Sequence, residues 1–125
     1  MILVDTSVWC DHFRAPEPGL AHLAESGLVL IHPFVTGEIA LGNMRQRPRV
    51  IEYLQRLVSS KVATDDEVLD LIERFGLFGS GIGFIDAHLL AATRLTAGSQ
   101  LWTRDKRLAA AAEAMGLLYS GRPVH

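Results

Sequence analysis

The sequence predicts an α/β fold: a three-layer sandwich in which a central parallel sheet of four to five short strands is flanked by helices. Three observations predict it. Four β-rich runs, at residues 2–4, 28–31, 62–64 and 100–103, are each too short for a helix, and each is followed by a helical pattern. These runs do not alternate in polarity, as expected of strands covered by helices on both faces. Finally, 125 residues with 49% hydrophobic content suit one compact domain, 1–125, with core enough to fold without disulfides or a structural metal.

The elements follow in order. Strand 2–4 ends on Asp5 and leads to a short helix at 7–13. The breaker run at 15–19, Ala-Pro-Glu-Pro-Gly, separates it from a helix at 20–25. Strand 28–31 precedes a helix at 35–41. Residues 49–58 carry apolar side chains at 50, 51, 54, 57 and 58, and residues 67–75 carry them at 68, 69, 72 and 75, so both read as half-buried helices around strand 62–64. An Ala- and Leu-rich helix at 85–95 leads to strand 100–103, and the alanine run within 108–115 favours a last helix. Residues 117–119 form a fifth, edge strand. No repeat, low-complexity segment or linker divides the chain.

Composition narrows the function classes. Cys10 is the one cysteine, so no intramolecular bridge forms, and among aliphatic neighbours it reads as core filler. The opening Met1-Ile2-Leu3-Val4-Asp5 lacks a basic leader, and no apolar run nears the ~20 residues of a membrane span, so a soluble, cytoplasmic protein without membrane contact is expected. The formal charge is −2, with 12 Lys and Arg against 14 Asp and Glu. That balance lacks the basic excess of a protein that holds nucleic acid by bulk electrostatics.

Four acidic residues stand where an open parallel sheet binds ligands, beyond the carboxyl ends of its strands. Asp5 closes the first strand, and Thr6 and Ser7 follow it. Asp105 comes just after the last strand, at the head of a helix, two residues after Thr103. Glu38 lies one turn into the helix after the second strand, and Asp86 opens the helix leading to the fourth. Each has an ordinary reading, because Asp is a preferred helix cap and acids suit helix starts. Asp5 fits that reading least, since a carboxylate ending an apolar strand is partly desolvated and needs a partner. Clustered carboxylates repel one another unless a cation neutralises them, and an all-oxygen set favours Mg²⁺ or Mn²⁺ over zinc. Phosphodiester hydrolysis is the chemistry such a site suits best.

The segments Val4-Asp5-Thr6-Ser7, Glu38, Gly83-Phe84-Ile85-Asp86-Ala87-His88 and Thr103-Arg104-Asp105-Lys106-Arg107-Leu108, in that order, resemble PIN domains, and most closely the VapC-type toxins of bacterial type II toxin-antitoxin systems. The resemblance covers essentially the whole chain. It implies that Asp5, Glu38, Asp86 and Asp105 are the catalytic, metal-binding quartet for Mg²⁺ or Mn²⁺, with Thr6, Ser7 and Thr103 as supporting hydroxyls. It further implies an endoribonuclease that cleaves tRNA or rRNA and halts translation, a homodimer, and a cognate antitoxin that lays an arginine among the carboxylates.

Other residues are open to two readings. Arg45, Arg47 and Arg49, and Arg104, Lys106 and Arg107 beside Asp105, are candidate contacts to RNA phosphates. A solvated loop, with Pro48 as a turn, is the alternative for the first three, and Arg107 can instead pair with a carboxylate. His12, His22, His32, His88 and His125 show no zinc pattern, and His88 reads as a packed or hydrogen-bonded histidine. Trp9 and Phe13, four apart on one helical face, read as core, with an apolar groove or dimer surface as the alternative. The Gly79-Ser80-Gly81-Ile82-Gly83 run fails the dinucleotide-binding spacing and reads as a flexible loop. Two rival functions stay open: a non-catalytic module that docks a basic peptide, and a metal-dependent DNA nuclease.

Overall fold

A computed structural model describes residues 1–121. The apolar run at the start forms β1 (Ile2–Val4), followed by α1 (Thr6–Arg14) and α2 (Pro18–Glu25). Next come β2 (Val29–Ile31), α3 (Pro33–Ala40), α4 (Arg47–Arg56) and β3 (Val58–Ser59). The chain continues through α5 (Asp65–Arg74), α6 (Phe84–Leu95), β4 (Gln100–Trp102) and α7 (Lys106–Ala114). The four strands are parallel and lie in the order β3-β2-β1-β4, so the first strand is interior to the sheet.

All three residues of β1 and all three of β2 are buried, which requires cover on both faces of the sheet and gives the expected α/β sandwich. Leu3, Leu30, Leu101, Leu20, Leu54, Leu89, Leu90 and Leu108 join one core with Trp9. Trp9 is buried and stacks on Phe13 at 5.8 Å, as the core reading of that pair expects.

The third strand differs from expectation. Residues 62–64 are not a strand; β3 is Val58–Ser59, paired as Leu30↔Val58 and Ile31↔Ser59. Val58 extends the apolar stripe of α4 in sequence, but the helix stops at Arg56 and Leu57 is already extended. Thr64, β-branched and strand-like, instead caps α5: its Oγ1 accepts the Glu67 N–H at 3.1 Å, and Glu67 Oε1 accepts the Thr64 N–H at 2.9 Å. The expected fifth strand at 117–119 reduces to one parallel bridge, Leu101↔Leu118, held by Leu101 N–H to Leu117 O and Tyr119 N–H to Leu101 O.

Prolines move helix starts earlier than apolar periodicity suggests. Pro18 and Pro33 occupy first-turn positions of α2 and α3, where a missing N–H costs nothing. Pro48 does the same in α4, so Arg47 and Arg49 sit in a helix start and not in a loop. Arg47 Nε donates to Ala40 O at 2.8 Å and ties α4 to the end of α3. Among the described residues no helix is long and apolar enough to cross a membrane.

Candidate active site

Because β1 lies between β2 and β4, Asp5 at its carboxyl end faces the loops that leave both neighbours. Asp5 occupies the cap position of α1, yet its side chain makes no capping bond. Its Oδ2 accepts two hydroxyl protons, from Ser7 Oγ and Thr103 Oγ1, each at 2.7 Å. Those hydroxyls in turn accept backbone donors: Arg104 N–H to Ser7 Oγ at 3.0 Å and Asp105 N–H to Thr103 Oγ1 at 3.1 Å. A buried carboxylate, 6% exposed, is thereby compensated, and the β4–α7 turn is fastened to α1 through the same bonds.

The other three acids stand around Asp5, with Asp86 and Asp105 at the starts of α6 and α7 and Glu38 in the second half of α3. Glu38 Oε1 accepts Thr6 Oγ1 at 2.9 Å, which links α3 to α1. Asp86 Oδ2 reaches back to the Gly83 N–H at 3.4 Å. Asp105 Oδ1 caps α7, taking the N–H groups of Arg107 at 2.9 Å and Leu108 at 3.0 Å. Asp86 and Asp105 therefore do serve their helices, as the ordinary reading of such acids expects. Asp5 does not.

One pattern is common to all four. Each carboxylate is held by one oxygen only, and among the described residues its second oxygen has no hydrogen-bond donor and no basic side chain pairs with it. The four share a field. Burial raises the Asp86 pKa above the ordinary carboxylate value; the Gly83 N–H opposes this, and the charges of Asp5, Asp105 and Glu38 push it further up. Among the described residues no three acidic, histidine or cysteine side chains are gathered closely enough to hold a metal ion as they stand. The donor set is nonetheless what a hard divalent cation takes: oxygen ligands, unpaired, with mutual repulsion to relieve. The residues fit such an ion, provided the side chains of Glu38, Asp86 and Asp105 draw in on it.

The basic residues divide. Arg104 Nη1 binds Asp11 Oδ2 at 2.6 Å and Nη2 binds Glu17 Oε2 at 2.7 Å, so its fork is already engaged away from the quartet. Arg107 makes no ion pair among the described residues; its side chain lies against Gly81, where an added Cβ would sit 2.9 Å from Arg107 Cδ. Arg45, Arg49 and Lys106 are exposed. Asp11 and Glu17 escaped the sequence reading, although Ser7 and Asp11, one helical turn apart, share a face of α1.

His32 and His88 hold structure. His88 is buried, with Nε2 3.0 Å from Asp65 Oδ1 and its ring edge-on to Phe34 and Phe84. His32 Nδ1 accepts the Phe34 N–H at 3.0 Å and caps α3. His125 lies outside the described residues. Burial raises the Cys10 pKa, with Arg14 opposing and Asp11, Asp5 and Glu38 adding to the rise, which keeps the thiol protonated and inert.

The family profile described as PIN domain matches residues 2–114, nearly the whole of this arrangement. The chain belongs to the PIN-domain family. This PIN domain is also 47% identical over 117 residues to Ribonuclease VapC32 of Mycobacterium tuberculosis, in two strains, with 94% of each chain covered, which makes it a PIN domain of the VapC type. The crystal structure of PAE2754 from Pyrobaculum aerophilum matches at TM-score 0.58 and 18% identity, covering 90% of this chain and 85% of that one. At that identity the likeness concerns the fold alone.

Proposed function

We propose that this PIN domain is a Mg²⁺- or Mn²⁺-dependent endoribonuclease that acts in the cytoplasm as the toxin of a toxin-antitoxin pair. The observation that carries this is the set of four acids around the end of β1, each with one oxygen anchored by the protein and one without a donor. The identity to a relative named as a ribonuclease supports RNA as the substrate over DNA.

Asp5, Glu38, Asp86 and Asp105 would hold the ion or ions. Bound there, Mg²⁺ or Mn²⁺ supplies Lewis acidity towards water and the phosphodiester. The protein's own part is positional. Ser7 and Thr103 fix the Asp5 carboxylate by two hydroxyl donors, and Thr6 holds Glu38. Burial and its acidic neighbours disfavour the charge on Asp86, a cost that a bound cation would relieve.

By kinship with VapC proteins, tRNA or rRNA is the expected target, arrest of translation the consequence, a homodimer the working form and a cognate antitoxin the restraint. An antitoxin arginine inserted among four unpaired carboxylates would occupy the place of the cation. Lys106, Arg107, Arg45 and Arg49 remain candidates for phosphate contacts. The deciding experiment is cleavage of a structured RNA with Mn²⁺ or Mg²⁺ by the wild-type chain, Asp5→Asn and Asp86→Asn. Metal-dependent cleavage lost in both folded variants is the expected result; undiminished cleavage by both overturns the reading. Tight binding of a basic peptide without any turnover would favour the docking module instead.

A further inference from the structure

We propose that Arg104 is a positioning residue: it clamps the β4–α7 turn onto α1 and α2, and so holds Thr103 and Asp105 in register with Asp5. The inference rests on the metal-dependent ribonuclease reading for its effect on turnover, but the clamp itself is a matter of geometry.

Arg104 stands between the residue that donates to Asp5 and the residue that caps α7. Its backbone N–H donates to Ser7 Oγ at 3.0 Å, and Ser7 Oγ donates to Asp5 Oδ2 at 2.7 Å. Its guanidinium spans two helices, with Nη1 2.6 Å from Asp11 Oδ2 on α1 and Nη2 2.7 Å from Glu17 Oε2 at the cap of α2. Both acids are themselves located. Ser7 and Asp11 are four apart and rise from one face of α1, so main chain and side chain of Arg104 grip the same helix one turn apart. Glu17 is anchored at both ends of its residue, since its N–H donates to His12 Nδ1 at 2.9 Å and its Oε1 accepts the Gly19 N–H at 3.3 Å. A planar fork joining two fixed carboxylates is work for arginine; a lysine ammonium reaches one of them. The same pairing argues against a phosphate contact, because two carboxylates already balance this cation.

The test uses the purified full chain and three variants: Arg104→Gln, Arg104→Lys and the double Asp11→Asn/Glu17→Gln, which keeps the arginine and removes both of its partners. Two readouts separate the clamp from the nuclease reading. The first is hydrogen exchange by NMR at the Arg104 and Asp105 amides, which needs no activity. Exchange about tenfold or more faster than wild type is expected in Arg104→Gln and in the double variant, with amides of α5 and α6 unchanged. The second is steady-state cleavage of a short RNA with Mn²⁺. There kcat falls about tenfold to a hundredfold with KM within about twofold of wild type, and lysine does not restore it. Unchanged exchange in the double variant overturns the clamp. So does an Arg104→Gln variant that keeps kcat, raises KM and lowers the salt slope by about one, since that is the signature of a lost phosphate contact. If wild type itself cleaves nothing, the ribonuclease reading fails while the exchange data still decide the clamp.

Discussion

Thr103 Oγ1 donates a 2.7 Å hydrogen bond to Oδ2 of Asp5, although the two residues lie 98 positions apart in the chain. The bond joins the end of β4 to the end of β1 at the point where both strands meet the site. Replacing Thr103 by Val keeps the shape and removes the donor, which leaves the buried Asp5 carboxylate with Ser7 alone. A loss of about 1–2 kcal/mol in urea unfolding and of about tenfold or more in RNA cleavage is expected, with Thr103→Ser close to wild type. Wild-type stability and cleavage in Thr103→Val would remove the hydroxyl pair from the mechanism.

Asp86 makes a prediction opposite in sign for stability and for function. Burial, then the charges of its acidic neighbours, raises its pKa above the ordinary 3.8, so the folded chain holds that proton more tightly than the unfolded one. The stabilisation this represents is full below the ordinary value and is lost as pH rises through the raised one. At neutral pH the ionised carboxylate is therefore a liability in the metal-free protein. Asp86→Asn should melt higher than wild type without metal at pH 7, on the order of 2 °C once solvent screening is allowed for. The gap should close on acidification. Adding Mn²⁺ should raise the midpoint of wild type and not of the variant.

His32 governs a second pH dependence. Its ring is buried, and burial, followed by the neighbouring His88, lowers its pKa from 6.5 to about 4. Between those values the unfolded chain takes a proton that the native chain refuses, so the stability present above pH 6.5 drains away as pH falls towards 4. The loss should be on the order of 2–3 kcal/mol by pH 4. His32→Asn keeps an acceptor for the Phe34 N–H and removes the titration, so urea midpoints measured from pH 7 to pH 4 should fall less steeply than in wild type. Parallel slopes would refute this.

Gly81 should not tolerate a side chain. Its φ is +86°, in the left-handed region, and an alanine Cβ there would stand 2.9 Å from Arg107 Cδ and Nη1. Gly81→Ala should cost about 1–2 kcal/mol and displace Arg107 from the 79–83 loop. The double variant Gly81→Ala/Arg107→Ala should recover the steric part and keep the backbone part, a difference that a thermal melt resolves.

The sandwich was legible because its signals are local. Consecutive apolar residues in β1 and β2 announce strands with two covered faces, and the acids that follow them, Asp5 and Glu38, mark the candidate site at the carboxyl ends of the sheet. The third strand was misplaced for a physical reason: two residues of strand at Val58–Ser59 are too few to break the apolar stripe of α4, while β-branched Val62 and Thr64 imitate one. The Thr64-x-x-Glu67 capping box was the available signal. The hydroxyls at positions 6, 7 and 103 could be named from their place beside the acids. The pairing of Arg104 with Asp11 and Glu17 could not, because it spans 93 and 87 residues and no local pattern predicts which carboxylates meet.

The interior position of β1 has a consequence for how the protein is made. A ribosome delivers Asp5 first; Asp86 follows 81 residues later, and Thr103 and Asp105 come only once β4 has been made. Parallel pairing of β1 with β4 must wait for the same moment. A nascent fragment that stops short of Thr103 lacks both the β1–β4 pairing and the hydroxyl that holds Asp5, so the four acids cannot yet be gathered in it.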